Sequence, residues 1–200
     1  NQWDGFYLTG QARLGLEDNE MRRDVAFNGY ARRNESRWTG LAGGALLGAG
    51  KDWTWDGYSA GPLAWLEYGF VRRPDLSETG GQASRLNVNG GICQSLPLSL
   101  GGHLGRVWKL SEKAGLAVDV LAAWRHELLD GTFRSNASFR GYSSADFSSA
   151  TNLVGRDSLL AQGSLRLTRG RDFFAQVDLG GEFRTAGSSV NAGMSFGWEF

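Results

Sequence analysis

The last ten residues alternate without a break. Ala192, Met194, Phe196, Trp198 and Phe200 would share one face of an extended chain, and Asn191, Gly193, Ser195, Gly197 and Glu199 the other. Strand side chains repeat every two residues, so the pattern fits a strand and not a helix. The same alternation recurs along the chain and confines it to an all-β, antiparallel architecture.

Eight strands are expected, at about 4–17, 37–51, 57–72, 95–109, 114–129, 157–169, 171–184 and 189–200. In the first, Phe6, Leu8, Leu14 and Leu16 oppose Tyr7, Thr9, Gln11 and Arg13, and the strand is extendable through Met21–Ala26. In the second, Leu41, Ala45, Leu47 and Ala49 oppose Gly40, Ala42, Gly44, Gly48 and Gly50, which leaves room on the polar side. In the fifth, Leu116, Val118, Val120 and Trp124 oppose Asp119, Arg125 and Glu127. Pro62 and Pro97 remove ladder donors, and a bulge is expected at each.

Connections and aromatics are sorted. Lys51–Asp56, Leu110–Lys113 and Gly170 are short, whereas Phe27–Ser36, Arg73–Gln94 and Asp130–Arg156 are long and polar. Up-and-down order puts the two kinds at opposite ends, except that short Thr185–Ser188 falls on the long-loop side. Trp3, Phe6, Trp53, Trp55, Tyr58, Trp108, Phe173, Trp198 and Phe200 gather at the short-turn end; Trp38, Tyr68, Phe70, Trp124 and Phe183 gather at the other. Rings with a polar tip favour both boundaries of a bilayer. Belts, alternation and loop asymmetry together predict a transmembrane antiparallel β-barrel of the outer membrane, with loops extracellular and the C-terminus periplasmic.

Composition agrees once half of each strand faces water. Twenty-one basic against twenty-one acidic residues give zero net charge, which argues against a nucleic-acid surface. The mean hydropathy of −0.33 hides no transmembrane helix, since no run of about 18 apolar residues exists. The single cysteine, Cys93, excludes an internal disulfide and reads as a packed thiol. Asn1–Gly10 lacks the basic and apolar regions of a signal peptide, so an export signal is expected outside this segment.

The polar faces carry Arg13, Glu67, His103, Asp119, Arg125, Glu127, Arg166, Asp178, Glu182 and Arg184. They are expected to line a wet lumen, either as contacts for a threaded segment or as mutually paired charges. Catalysis is not expected. The only histidines are His103 and His126, no Gly-x-Ser-x-Gly elbow occurs, and His126-Glu127 lacks the second histidine of a zinc motif. No metal and no organic cofactor is expected.

Several segments resemble autotransporter β-domains, the translocators of type V secretion. They are Ala123–Gly131 (AWRHELLDG), Phe139-Arg140-Gly141 with Ala145-Asp146-Phe147, Gly155–Leu160 (GRDSLL), Ser95–Arg106 (SLPLSLGGHLGR) and the terminal Phe-Gly-Trp-Glu-Phe. The resemblance is good over 57–200 and weak over 1–56. It implies a barrel that anchors and helps export an upstream passenger. Residues 1–200 would then be a partial barrel, the last eight of twelve strands, with passenger, pore helix and first strands outside it. A self-contained eight-stranded barrel with a structural or surface-binding role is the alternative.

The resemblance also implies an assembly signal, Phe196, Trp198 and Phe200, engaging the barrel-assembly machinery, and the long Asp130–Arg156 loop folding over or into the pore. Some family members cut their own passenger, a role for which Glu67, Asp119 and Glu127 could be placed. Arg32, Arg33, Arg72, Arg73, Arg134 and Arg140 cluster at the expected surface end, where lipopolysaccharide is a candidate partner besides outer-membrane lipid.

Overall fold

The computed structural model describes residues 2–3, 5–130, 132–151, 155–170 and 173–198. Among these, eight strands reach twelve residues or more. They are β1 (Phe6–Phe27), β2 (Tyr30–Lys51), β3 (Tyr58–Arg73), β4 (Pro97–Ser111), β5 (Ala114–Glu127), β6 (Asp157–Arg169), β7 (Phe173–Arg184) and β8 (Gly187–Trp198). Each pairs antiparallel with the next in one curled sheet. Gly91–Ser95 lengthens β4 alongside β3, and Trp53–Trp55 continues β2 past Asp52. The sheet is open: among the described residues no pairing joins β1 to β8.

Burial is inverted relative to a water-soluble β protein. Leu8, Leu14, Leu16, Leu47 and Met194 are all at least 67% exposed on the apolar face. Among the described residues the buried apolar side chains are few: Leu76, Leu86, Val88, Ala123 and Leu160, with Pro97. An apolar face this large left uncovered requires a nonpolar environment. The opposite face is ordered by register. Thr9, Gly48, Trp65, Ser99, Arg125, Ser158, Arg184 and Gly187 lie in one cross-strand row, and Ser59, Gly105, Asp119, Ser164, Asp178 and Gly193 in another.

Three expectations are corrected. Phe27–Ser36 is not a long loop: β1 and β2 run on to a two-residue turn, Asn28-Gly29, with φ of 33° and 80°. Positive φ at both positions matches the twist of a tight hairpin, and Asn-Gly adopts it readily. Trp38 does not join an outward belt; it lies on the polar side of that hairpin and packs against Leu76, Leu86 and Val88. Pro62 causes no bulge, because register runs unbroken from Gly61↔His103 to Leu63↔Gly101. Its missing donor falls between the β2 partners Gly50↔Leu63 and Trp53↔Ala60, where nothing has to be paired. At Pro97 the chain does break, at Leu96 between Gly91–Ser95 and β4.

The two other long connections are structured. Leu76–Ser77, Leu86–Val88, Phe133–Phe139 and Tyr142–Thr151 form a second, four-stranded sheet, a cap at the loop end. Leu76, Leu86 and Val88 make its small core with Met21, Trp38, Ala137 and Phe139.

Candidate functional site

The polar face gathers most of the charged residues singled out above, but in unequal settings. Arg125 donates to Glu67 at 3.1 Å, and Arg184 to Glu182 at 2.6 Å; Ser158 also donates to Glu182, at 2.7 Å. Asp178 accepts from Gln176, while Arg166 lies 4.5 Å over the Phe174 ring. Glu127 serves the backbone: it accepts from the Ser95 hydroxyl and from the N–H groups of Leu96 and Leu129. It thereby fixes the break before Pro97 and the exit of β5. Arg13, Gly15, Glu17, Ala42, Val71 and Cys93 line a groove of about 560 Å³ on this face.

The densest cluster has a member that the sequence reading passed over. His103 meets Asp52 through Nε2 at 2.9 Å and Asp119 through Nδ1 at 3.1 Å. An imidazole that carries both protons donates to both carboxylates, and in that state it has no nitrogen free to accept a proton. Asp52 gets there because the chain between β2 and Trp53–Trp55 presses against Gly61. A Cβ on Gly61 would lie 1.6 Å from the Lys51 carbonyl oxygen. The close approach of Gly61 is invisible to periodicity, which sees only a small residue in a strand.

His126 sits on the apolar face, stacked on Trp124, and meets Asp157 at 2.8 Å. Trp124 Nε1–H donates to the same oxygen at 3.0 Å. Among the described residues no group of three His, Cys, Asp or Glu side chains is placed to hold a metal ion. The arginines assigned to a surface rim differ among themselves. Arg33 pairs with Asp24 at 2.8 Å, Arg73 donates to Asn89 O and Ser135 Oγ, and Arg32 lies over Tyr30. Arg72, Arg134 and Arg140 are exposed.

On the edge strand β8, Phe196 and Trp198 are 68% and 60% exposed on the apolar face, and Trp198 contacts Phe173 at 5.1 Å between centroids. Phe200 lies outside the described residues, as does the side chain of Trp3.

A sheet with an uncovered apolar face, a charged opposite face and a capped loop end defines a class of outer-membrane β protein. The chain matches the Autotransporter beta-domain family over residues 1–180 and belongs to it. The match includes the first 56 residues, which the motifs covered weakly. Membership implies the outer membrane and a translocator role toward a linked passenger. The chain is also similar to an "Extracellular serine protease" of Serratia marcescens, 22% identical over 183 residues. That alignment takes in 90% of this chain and 17% of the relative, so the chain spans about a sixth of that protein's length.

Proposed function

We propose that the chain supplies the last eight strands of a twelve-stranded barrel that carries an upstream passenger to the cell surface. The observation that supports this most is the open sheet. Among the described residues Gln2–Trp3 covers only Phe6–Tyr7 at the start of β1; beyond it β1, like β8, presents an unpaired backbone edge along an apolar-faced strand. Lipid satisfies no N–H or C=O group, so each edge needs a partner strand, and on this reading further strands supply it. The charged face then lines the lumen, and the groove beside Arg13 and Cys93 receives the segment that threads it. Arg125–Glu67 and Arg184–Glu182 act as wall-stiffening pairs, and catalysis is no part of this chain's role. Loops face the cell surface and the C-terminus the periplasm, where Phe196, Trp198 and Phe200 present the terminal strand to the assembly machinery. Outer-membrane lipid surrounds the apolar face, and Arg72, Arg134 and Arg140 are placed for lipopolysaccharide.

The test is the intact mass and N-terminal sequence of the protein extracted from outer membranes. A species longer than this chain, or one beginning at an upstream cut, is expected. A mature protein that starts at Asn1 would overturn the twelve-stranded reading in favour of a self-contained barrel.

A further inference from the structure

The cap and the β1–β2 hairpin meet along a seam of unusual composition. The strap that joins Leu76–Ser77 to Leu86–Val88 runs along the free edge of β2, where Thr79–Gly80 pairs with Asn34–Glu35, and the cap core packs on Met21 and Trp38 on the polar side of the hairpin. At its centre Glu78 is fully buried. It accepts from Arg23 through Nε at 3.0 Å and Nη2 at 2.6 Å, and from the Leu86 N–H at 2.9 Å. Asn34, also fully buried, accepts from Gly81 N–H and donates to Ser84 O and Oγ; Tyr30 donates to the same Ser84 hydroxyl. The seam is therefore polar and directional, and the apolar core beside it has three buried members.

We propose that Arg23–Glu78 is a latch, and that the strap docks on and undocks from the hairpin so that the cap is an openable cover over one end of the polar face. Three features point this way. First, the cap packs on the side of the hairpin continuous with the charged face, since Arg23 and Asn34 follow Arg13 and Gly44 at even intervals along β1 and β2. An undocked strap therefore uncovers that face. Second, a core this small holds the cap weakly, so much of the docking rests on groups that water can also satisfy. Third, the pair is lopsided: the Glu78 side chain is 0% exposed and that of Arg23 is 32% exposed. A buried carboxylate deprived of its partner is costly, whereas a half-exposed guanidinium deprived of its partner is hydrated where it stands. Loss of the arginine must therefore open the seam more than loss of the glutamate.

The docking itself stands without the translocator reading; only the identity of what is uncovered rests on it. The experiment uses the intact protein in whole cells with Cys93→Ala and a reporter, Ser36→Cys. Ser36 is 5% exposed under the strap, and its hydroxyl has no hydrogen-bond partner among the described residues. A membrane-impermeant maleimide is added and the labelling rate followed. The parent is expected to label slowly, at a rate that stops rising with reagent concentration because opening limits it. Arg23→Gln is expected to label about a hundredfold faster, and Glu78→Gln, which keeps an oxygen to accept from the Leu86 N–H, by a smaller factor. Unboiled electrophoretic mobility reports that each barrel is folded. Equal rates in parent and Arg23→Gln, or a parent that never labels, would overturn the latch. Tyr142→Cys, 66% exposed on the cap, is the orientation control. If it fails to label on cells, the surface orientation is wrong, and the same rates read on detergent-extracted protein decide the latch.

Discussion

At the scale of single residues, the His103 cluster depends on an absence. Gly61 has no Cβ, and that lets the Lys51 carbonyl approach and Asp52 reach His103. Gly61→Ala sets a methyl group against backbone that cannot step aside. It is expected to destabilise the folded barrel by about 1–3 kcal/mol in urea unfolding from lipid. In a double-mutant cycle, Asp52→Asn and His103→Gln are expected to couple by about 1 kcal/mol or more. In the Gly61→Ala background that coupling is expected to fall toward zero. Undiminished coupling would mean that Asp52 reaches His103 by another route. Sequence reading placed His103 on the polar face from parity alone. Asp52 escaped it because a turn residue has no parity, and its partner is fifty-one positions away.

At the scale of elements, the β1–β2 hairpin shows what periodicity reads and what it misses. Parity carries the apolar face from Phe6 to Leu16; beyond Glu17 the face becomes charged, and alternation then supports no more than an extension through Met21–Ala26 and a loop over Phe27–Ser36. The exposed side of the hairpin instead carries a cross-strand ladder of Arg37–Glu20 at 3.6 Å, Arg22–Glu35 at 3.8 Å and Arg33–Asp24 at 2.8 Å, with Arg22 also bonded to Glu20 along its own strand at 2.6 Å. Cross-strand charge pairs support a strand as apolar pairs do, and the Asn28-Gly29 turn was the local sign of it. Hydrogen bonds from Arg33 hold the Asp24 carboxyl below its usual range, and those from Arg22 do so for Glu20. With folded values lowered, their contribution is fully present above the unfolded values near pH 4 and fades as pH falls through the folded ones. Arg33→Gln is expected to raise the Asp24 midpoint toward the ordinary carboxylate value in a carbon-13 NMR titration, and to let the hairpin tip fray at a higher pH. An unchanged midpoint would show that the pair is not formed in solution. The same blindness applies to the two long connections, whose strands Leu76–Ser77, Leu86–Val88, Phe133–Phe139 and Tyr142–Thr151 pair with one another in the cap sheet.

At the scale of the whole molecule, the all-β class and most strand boundaries were legible because alternation survives twelve residues at a time. The openness of the sheet was not, since edge pairing is a property of what lies alongside a strand. On the proposed reading β8 is the strand presented during assembly. Phe200→Ser and Trp198→Ser are each expected to lower the amount recovered in outer membranes severalfold while synthesis stays constant, as quantified by immunoblot of membrane against total fractions. Normal membrane levels in both would remove the assembly role from these residues and leave them as lipid contacts.

The strand lengths carry a last consequence. β1 and β2 run for 22 residues each, whereas β7 and β8, at the other side of the sheet, run for 12. A membrane strand needs about ten residues, so the first pair stands roughly 35 Å proud while the last pair ends close to the bilayer. The rim has a mast on one side. On the proposed reading, a polymer emerging along the charged face meets a wall toward β1 and a low rim toward β8. The mouth therefore has a bearing as well as a bore.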